Sequence, residues 1–279
     1  MTPSPAGGLG CGKEFAPQHL LSGESRQNAA ISLLREHEPE GGYLLSFSGG
    51  KDSVVILHLA KLAGVKFDAH YHVTTLDPPE LMRFIKDQYP DVIWDRPKMS
   101  FFQLIAKERM LPTRKIRFCC RILKEVEGRG RVVVTGIRSS ESFSRSKRKM
   151  VEISRDRKLG KMFVHPILDW SEVDVWDYIR HYEIPYCQLY DMGWSRIGCL
   201  FCPMKGGARQ RRDAFEYPRY YHALLRAIQR MLDNIHSKGK EWNHGKTPEE
   251  VWQWWTQDQT MGKRSRRTQN REKGVIEGW

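Results

Sequence analysis

The fold of this chain is decided by the stretch Tyr43-Leu44-Leu45-Ser46-Phe47-Ser48-Gly49-Gly50-Lys51-Asp52-Ser53. Its apolar first half predicts a short buried strand, and the apolar residues from Val54 to Leu62 predict a helix that follows at once. The two glycines between them let consecutive backbone N–H groups turn toward an anion. The start of the helix adds its free N–H groups and its positive dipole end. The stretch therefore predicts a phosphate-binding loop.

The side chains of this loop suit the phosphates of a nucleotide. Ser48 and Ser53 offer hydroxyl donors, and Lys51 offers a positive charge where negative charge develops in a transition state. Asp52 is placed to cap the helix or to help hold Mg²⁺ with phosphate oxygens. The spacing differs from the G-x-x-x-x-G-K-[ST] pattern of P-loop NTPases, and an ordinary strand-to-helix turn is the alternative. We predict that the nucleotide contacts come from Ser46, Ser48, Gly49, Gly50, Lys51, Asp52 and Ser53.

Strands and helices alternate on the C-terminal side of the loop. Further strands are predicted at residues 67–73, 92–94 and 132–136, with helices at 81–88 and 101–108 between them. This alternation predicts an α/β fold with a doubly wound, mainly parallel sheet. The carboxyl ends of such strands lie along one edge of the sheet, where ligands bind.

The chain divides by composition into four predicted parts. Residues 1–22 form a flexible leader, with a helix expected from Gly23, and residues 23–203 form the nucleotide-binding domain. Residues 204–260 form a small C-terminal helical region, with a helix from Pro218 to Ile235 and a Trp-rich helix opening at Thr247. Residues 261–279 form a polar, basic tail that we expect to be mobile.

The formal net charge of +13 suits a polyanionic partner, either nucleic acid or a phosphate-rich small molecule. A basic protein that binds no nucleic acid has the same composition, so DNA or RNA is a candidate partner only. No apolar run reaches the roughly 20 residues that span a bilayer, and the first residues lack the apolar stretch of a secretory signal. We therefore expect a cytoplasmic protein with no membrane partner.

Four of the six cysteines form two pairs, Cys119-Cys120 and Cys199-x-x-Cys202. Disulfides are rare in the cytosol, so this pattern predicts a metal or cluster site. Four thiolates can hold either a tetrahedral zinc ion or an iron–sulfur cluster. Two adjacent cysteines splay their side chains, which favours an iron–sulfur cluster over Zn²⁺ or over plain buried thiols.

Several motifs appear in a fixed order around these cysteines. They are Arg117-Phe118-Cys119-Cys120-x-x-x-Lys124, Gly136-Ile137-Arg138-x-x-Glu141-Ser142-x-x-Arg145, His165-Pro166-Ile167, Asp174-Val175-Trp176-x-Tyr178-Ile179, Ile184-Pro185-Tyr186, Leu189-Tyr190 and Gly198-Cys199-x-x-Cys202-Pro203. Together with the loop at Ser48 they resemble the phosphoadenosine phosphosulfate (PAPS) reductase family of the adenine nucleotide α-hydrolase superfamily. The resemblance covers roughly Tyr43 to Pro203.

The resemblance implies site residues and cofactors. Nucleotide contacts are expected from Thr74, Thr75 and Gly136, and phosphate or sulfate contacts from Arg138 and Arg145, which with Lys51 and Asp52 form the predicted catalytic set. The ligands of a 4Fe-4S cluster are expected to be Cys119, Cys120, Cys199 and Cys202. The Lys51-Asp52 pair resembles the ATP pyrophosphatase branch, which splits ATP with Mg²⁺ into AMP and pyrophosphate, more than it resembles the PAPS reductases.

Two activities follow from the resemblance. The first is an ATP-dependent sulfur-transfer enzyme, similar to the iron–sulfur proteins of DNA phosphorothioation and acting in nucleic-acid modification. The second is a reductase of adenylated sulfate that uses thioredoxin. Reductases of adenosine phosphosulfate need a nucleophilic cysteine near the C-terminus, whereas no cysteine follows Cys202 here, and this favours the first activity. A sulfur-donor protein and a homodimer are expected partners, and a non-catalytic nucleotide-sensing or nucleic-acid-binding subunit is a third alternative.

Overall fold

The computed structural model of the chain describes residues 18–124, 128–154 and 160–257. Most of the predicted leader and the whole predicted basic tail lie outside these ranges, as do Cys11 and the basic residues Arg155, Arg157 and Lys158. Within the described ranges no helix combines the length and the apolar character that crossing a bilayer requires.

One sheet of six strands organises the described residues. The strands are β1 (Tyr43–Ser46), β2 (Phe67–His72), β3 (Ile93–Asp95), β4 (Val132–Val134), β5 (Val151–Ile153) and β6 (Met162–Val164). Their order in the sheet is β3-β2-β1-β4-β6-β5, with β5 antiparallel to β6 and all other neighbours parallel. The chain leaves β1 toward β2 on one side and later returns to pair β4 on the other. The carboxyl ends of β1 and β4 therefore flank the topological switch point, where open α/β sheets bind ligands.

Nine helices flank this sheet or follow it in the described residues. They are α1 (Gln18–Glu36), α2 (Lys51–Ala63), α3 (Pro79–Gln88), α4 (Phe101–Glu108), α5 (Phe118–Leu123), α6 (Glu172–His181), α7 (Gly207–Glu216), α8 (Pro218–His236) and α9 (Pro248–Thr256). The predicted capping box at the start of α6 is present, because the Ser171 hydroxyl accepts the Asp174 N–H and the Asp174 carboxylate accepts the Ser171 N–H. These elements confirm the predicted doubly wound, mainly parallel sheet with a small C-terminal helical region.

The C-terminal helices share one hydrophobic core with the sheet domain. Helix α8 packs along α4, and the Asn234 side-chain amide donates to the Ala106 carbonyl over 3.0 Å. From α9, the indole N–H of Trp255 donates to the Pro112 carbonyl over 2.6 Å. Trp252 and Trp255 are buried, so these aromatic side chains stabilise the packing of α9.

Five elements differ from the sequence prediction. Strands β5 and β6 were not predicted, because three residues are too few to show an alternating pattern. Helices α5 and α7 were not predicted either: α5 has only six residues, and α7 lies in a stretch that is mainly basic and polar. Helix α1 begins at Gln18, before the predicted start at Gly23.

Three buried or half-buried histidines make the stability of the fold sensitive to mild acid. Burial lowers the pKa of His58, His72 and His165, because the charged imidazolium loses its hydration. The unfolded chain then takes up protons from about pH 6.5 downward while the folded chain does not, so stability falls as the pH decreases through this range. We expect the urea midpoint to drop between about pH 7.5 and pH 5.5. His58→Gln should reduce this drop, and an equal drop in wild type and variant would contradict the assignment of His58.

Candidate nucleotide and thiol site

The predicted phosphate loop joins β1 to α2 at the switch point. Gly49 has φ 69°, a conformation that favours glycine, and a Cβ atom there would lie 2.6 Å from the Leu81 side chain. Gly50 caps α2, and Ser53 donates its hydroxyl proton to the Gly50 carbonyl over 2.8 Å. The Ser48 and Ser53 hydroxyl oxygens lie 3.2 Å apart. The loop therefore needs glycine at position 49, and it places two hydroxyl groups at the start of α2.

Lys51 begins α2 and is only 4% exposed. Its ammonium nitrogen lies 3.4 Å from a carboxylate oxygen of Glu172 and 3.6 Å from one of Asp52. Its backbone N–H donates to the hydroxyl oxygen of Tyr190 over 2.9 Å. Neither Tyr190 nor Glu172 was a predicted site residue; the Leu189-Tyr190 motif was the only signal for the tyrosine. A hydrogen bond to a residue 139 positions further along the chain therefore holds the phosphate loop.

Asp52 and Arg138 meet across the switch point. The Arg138 Nε donates to Asp52 Oδ1 over 2.7 Å, and Arg138 is 4% exposed. A Cβ atom at Gly136 would lie 2.8 Å from the backbone oxygen of Asp52, so the loop after β4 packs against the first turn of α2. The structure therefore brings the predicted Asp52, Gly136 and Arg138 into direct contact.

Glu141 joins the two arginines of the predicted catalytic set. Its carboxylate accepts the Arg138 backbone N–H over 2.9 Å and forms an ion pair with Arg145. Burial alone would raise the pKa of Glu141, but the Arg138 N–H and the Arg145 guanidinium outweigh burial, and the pKa is lowered. An ionised Glu141 therefore holds Arg145 on the same loop as Arg138.

The turn after β2 holds Thr74 and Thr75, for which adenosine contacts were predicted. The backbone N–H and the hydroxyl of Thr74 both donate to the Asp77 carboxylate, over 2.7 and 2.8 Å. Thr75 has φ 64°, and its hydroxyl oxygen accepts the Phe101 N–H over 2.9 Å. Since β2 pairs with β1, this turn lies at the same edge of the sheet as the phosphate loop.

The four paired cysteines converge on one pocket. Its lining consists of Thr74, Leu76, Phe101, Pro112, Cys119, Cys120, Leu123, Lys124, Cys199, Phe201, Cys202 and Pro203. A hydrogen bond with Cys120, together with burial and the neighbouring thiols, raises the pKa of Cys119. Cys199 lies beside the Lys124 ammonium and raises the pKa of that lysine. In the described ranges, no three His, Cys, Asp or Glu side chains are gathered around a point where one metal ion could bind.

The cysteine loop is held from two sides by backbone hydrogen bonds. The Leu200 N–H donates to the Leu76 carbonyl over 2.7 Å, which ties the loop to the turn after β2. Phe201 has φ 57°, which is unusual for a residue with a side chain. Its N–H donates to the Asp213 carboxylate over 3.0 Å, and its carbonyl accepts the Gln210 side-chain amide over 2.8 Å. Helix α7 therefore fixes the backbone between Cys199 and Cys202.

Asp213 is fully buried and faces two cations. Lys205 donates to its Oδ2 over 3.0 Å, and Arg209 Nε lies 3.3 Å from its Oδ1, too poorly aligned for a hydrogen bond. The Lys205 ammonium and the Arg209 guanidinium also lie 4.4 and 3.9 Å from the ring centre of Trp194. Asp213 was not a predicted site residue, because the neighbouring basic residues indicate only an exposed, positively charged segment.

Cys187 is separate from this pocket and fully buried in the core. Burial raises its pKa, so it is a neutral thiol at physiological pH. Cys11, the remaining cysteine, lies outside the described residues.

Gly136→Ala should destabilise the fold because the new Cβ would meet the Asp52 backbone. We expect a loss of about 1–3 kcal/mol in the free energy of unfolding, as for other overpacked sites. Gly41→Ala is the matched control, since a Cβ there meets nothing within 4 Å. Equal urea midpoints for the two variants would show that the loop after β4 can move away from α2 at little cost.

Comparisons with known proteins find relatives for most of this chain. Residues 42–205 match the phosphoadenosine phosphosulfate reductase domain. An uncharacterised protein of Methanocaldococcus jannaschii is 29% identical over 76% of this chain, and the chain spans only 45% of that relative's length. The adenosine 5'-phosphosulfate reductase of Bacillus cereus is 27% identical over 67% of this chain and 85% of its own length. The crystal structure of the PAPS reductase of Candida auris matches 69% of this chain and 98% of its own chain, with a TM-score of 0.48 and 18% identity.

The matched segment is more than half of the chain, and it contains the phosphate loop, both arginines and all four paired cysteines. This chain belongs to the phosphoadenosine phosphosulfate reductase domain family.

Proposed function

We propose that this protein is an ATP-dependent sulfur-transfer enzyme that splits ATP into AMP and pyrophosphate and carries a 4Fe-4S cluster. The observation that carries the proposal is the cationic phosphate loop at the switch point. There the buried Lys51 follows the turn at Gly49 and Gly50. The buried Arg138, on the loop after β4, donates to Asp52 at the start of the same helix. Two buried cations at the positive, N-terminal end of α2 form a site that stabilises an anionic phosphate chain.

The proposed reaction has two balanced steps. A nucleophilic oxygen of the acceptor attacks the α-phosphorus of MgATP, the bond between the α-phosphorus and the bridging oxygen breaks, and pyrophosphate leaves with the electron pair. Sulfide then attacks the acceptor atom that carries the adenylated oxygen, the bond between that atom and the oxygen breaks, and AMP leaves with the electron pair, so that sulfur replaces the oxygen with no change of oxidation state. The first step develops negative charge on the leaving pyrophosphate, and Lys51 is placed to neutralise it.

The ion pairs of the loop assign a role to Asp52. Its two carboxylate oxygens face Arg138 and Lys51, so the carboxylate holds these cations in place. Mg²⁺ would then arrive with ATP, bound mainly by phosphate oxygens. Arg145 pairs with Glu141, which also accepts the Arg138 N–H, so a third cation is held on the loop of Arg138.

The thiol pocket fits an iron–sulfur cluster by the chemistry of its donors. It brings together four thiols, the ligand set of such clusters, and the Lys124 ammonium beside them compensates negative charge. A bound cluster would supply a redox-capable anionic centre next to Thr74. The protein's own part is to fix the ligands: α5 carries Cys119 and Cys120, and α7 holds the loop between Cys199 and Cys202.

Reduction of adenylated sulfate is the second candidate, favoured by the similarity to the Bacillus cereus reductase. That chemistry needs a thiolate that attacks sulfur. Of the two cysteines outside the pocket, Cys187 is buried in the core as a neutral thiol, and Cys11 lies outside the described residues. The thiols of the described residues therefore favour pyrophosphate release over reduction.

The two candidates are separated by their products. Anaerobically purified protein is incubated with MgATP, sulfide and either RNA or DNA, and pyrophosphate and AMP are measured. In parallel it receives adenosine phosphosulfate and reduced thioredoxin, and sulfite is measured. We expect pyrophosphate in the first reaction and no sulfite in the second. Sulfite without pyrophosphate would establish the reductase instead, and absence of both products together with no ATP affinity would refute the nucleotide site.

A further inference from the structure

One exposed aromatic ring near the nucleotide site has no role in the core. Phe143 is 77% exposed, whereas Trp252 and Trp255 are almost fully buried. The ammonium of Lys147 lies 4.2 Å from the centre of the Phe143 ring. An aromatic side chain that stays in water contributes little to folding, so the exposed part of the Phe143 ring is available to a ligand.

The backbone around this ring is held by local hydrogen bonds. The N–H groups of Arg145 and Ser146 donate to the Ser142 carbonyl over 2.9 and 3.0 Å, and the Ser146 hydroxyl donates to the Phe143 carbonyl over 3.0 Å. This turn places Phe143 and Lys147 four residues apart on one side. Residues 142–149 are called the basic–aromatic turn below.

The charge of the basic–aromatic turn is strongly positive. Its sequence, Ser-Phe-Ser-Arg-Ser-Lys-Arg-Lys, has four basic residues and no acidic one. Arg145 pairs with Glu141, and Arg148 pairs with Glu152. Lys147 and Lys149 are exposed, and neither forms an ion pair within the described part of the chain. The Lys147 ammonium and the Phe143 ring are therefore exposed together, and Lys149 adds a second exposed ammonium group two residues further along the chain.

The basic–aromatic turn lies close to the phosphate loop along the chain. Arg138, which bonds Asp52, is five residues before Phe143, and five residues span at most about 18 Å. At roughly 3.4 Å per nucleotide along a strand, this is a reach of a few nucleotides. A polymer that touches the turn can therefore place one of its own groups at the nucleotide site.

We propose that the basic–aromatic turn binds a single-stranded polynucleotide, which is the acceptor of the proposed sulfur transfer. Lys147 and Lys149 neutralise its phosphates, and one of its bases stacks on the Phe143 ring. Unpaired bases present an aromatic face to a side chain, whereas the bases of a duplex are already stacked on one another. Acidic side chains of a peptide would match the charge but present no flat aromatic surface that could stack on the exposed part of the ring. The role of the polynucleotide as sulfur acceptor rests on the proposed function. Its binding to the turn is measured without any turnover of ATP.

The test is the affinity of the full protein for fluorescent oligonucleotides of about 12 nucleotides, within the usual site size of single-strand-binding folds. Single-stranded RNA, single-stranded DNA and duplex DNA are compared by fluorescence anisotropy over a range of salt concentrations. Phe143→Ala should weaken binding to single strands roughly 5- to 150-fold, the usual effect of losing one base stack. Lys147→Ala should reduce the slope of log affinity against log salt by about 0.7.

Two substitutions provide matched controls. Phe215→Ala removes another exposed ring, 88% exposed on α7, and Lys238→Ala removes another exposed lysine. Neither should change the affinity for single strands. The natural polymer is identified by comparing single-stranded RNA with single-stranded DNA, since the protein should bind the natural one more tightly.

The proposal is overturned if Phe143→Ala binds single strands as tightly as Phe215→Ala does, or if the duplex binds as well as the single strand. It is also overturned if poly-glutamate of equal charge competes as effectively as an oligonucleotide, since charge alone would then explain binding. ATP affinity of the wild-type protein is measured separately. If the wild-type protein has no affinity for ATP, the proposed function is refuted. The binding of the polynucleotide is then judged from the oligonucleotide measurements alone.

Discussion

Lys51→Ala is expected to reduce ATP-dependent pyrophosphate release by at least about 100-fold, the usual cost of removing one charge-stabilising donor from an active site. The side chain is buried and its ammonium group faces the phosphate loop, so water cannot replace it at low cost. Most of the loss should appear in the rate of pyrophosphate release, because the charge on the leaving group grows in the transition state. Pyrophosphate is measured at saturating MgATP in anaerobic buffer.

The matched control for this prediction is Lys61→Ala, which removes an exposed lysine from the last turn of the same helix. It should leave pyrophosphate release unchanged. Lys51→Met keeps the buried apolar part of the side chain and removes only its charge. This variant therefore separates loss of the charge from loss of the fold. If Lys51→Met is folded by its urea midpoint and still releases pyrophosphate at the wild-type rate, Lys51 has no part in catalysis.

Asp213→Ala should have the largest effect on stability, a loss of about 3–5 kcal/mol, as when one partner of a buried ion pair is removed. The substitution leaves Lys205 and Arg209 facing each other beside Trp194 without a carboxylate. It also leaves the Phe201 N–H without its acceptor at a backbone position with positive φ. The free energy of unfolding is measured in urea.

A second measurement connects Asp213 with the thiol pocket. Asp213 fixes the loop between Cys199 and Cys202. After reconstitution with iron, the Asp213→Asn protein should therefore retain less iron than the wild type, even where the variant remains folded. Asp233→Asn, on the exposed side of α8, is the matched control and should retain the wild-type iron content. Equal iron in both variants would show that the loop holds its shape without α7.

The phosphate loop and the fold class could be predicted from sequence because their signals are local. Two glycines between an apolar strand and an apolar helix specify the loop at Gly49 and Gly50, and alternating elements specify the sheet. Asp52 and Arg138 were predicted as separate site residues. Their direct contact depends on β1 and β4 being neighbours, which only the strand order reveals.

The supports of the site could not be predicted, because they come from distant segments with ordinary local sequence. Tyr190 reaches the Lys51 N–H across 139 residues, and nothing near it in sequence indicates that contact. Asp213 is a single acid among basic residues, which reads as an exposed surface although the side chain is fully buried. Hydrogen bonds of this kind depend on tertiary packing, and local patterns do not encode their partners.

The hydrogen bond from the Leu200 N–H to the Leu76 carbonyl has a consequence for protein engineering. It joins the backbone of the thiol loop to the turn that carries Thr74, so the two segments keep one relative position. A chimera with a relative must therefore take residues 74–77 and 199–202 from the same parent. A segment transplanted alone keeps this backbone bond only if it adopts the same backbone conformation, because that conformation sets the distance between the turn at Thr74 and the thiols.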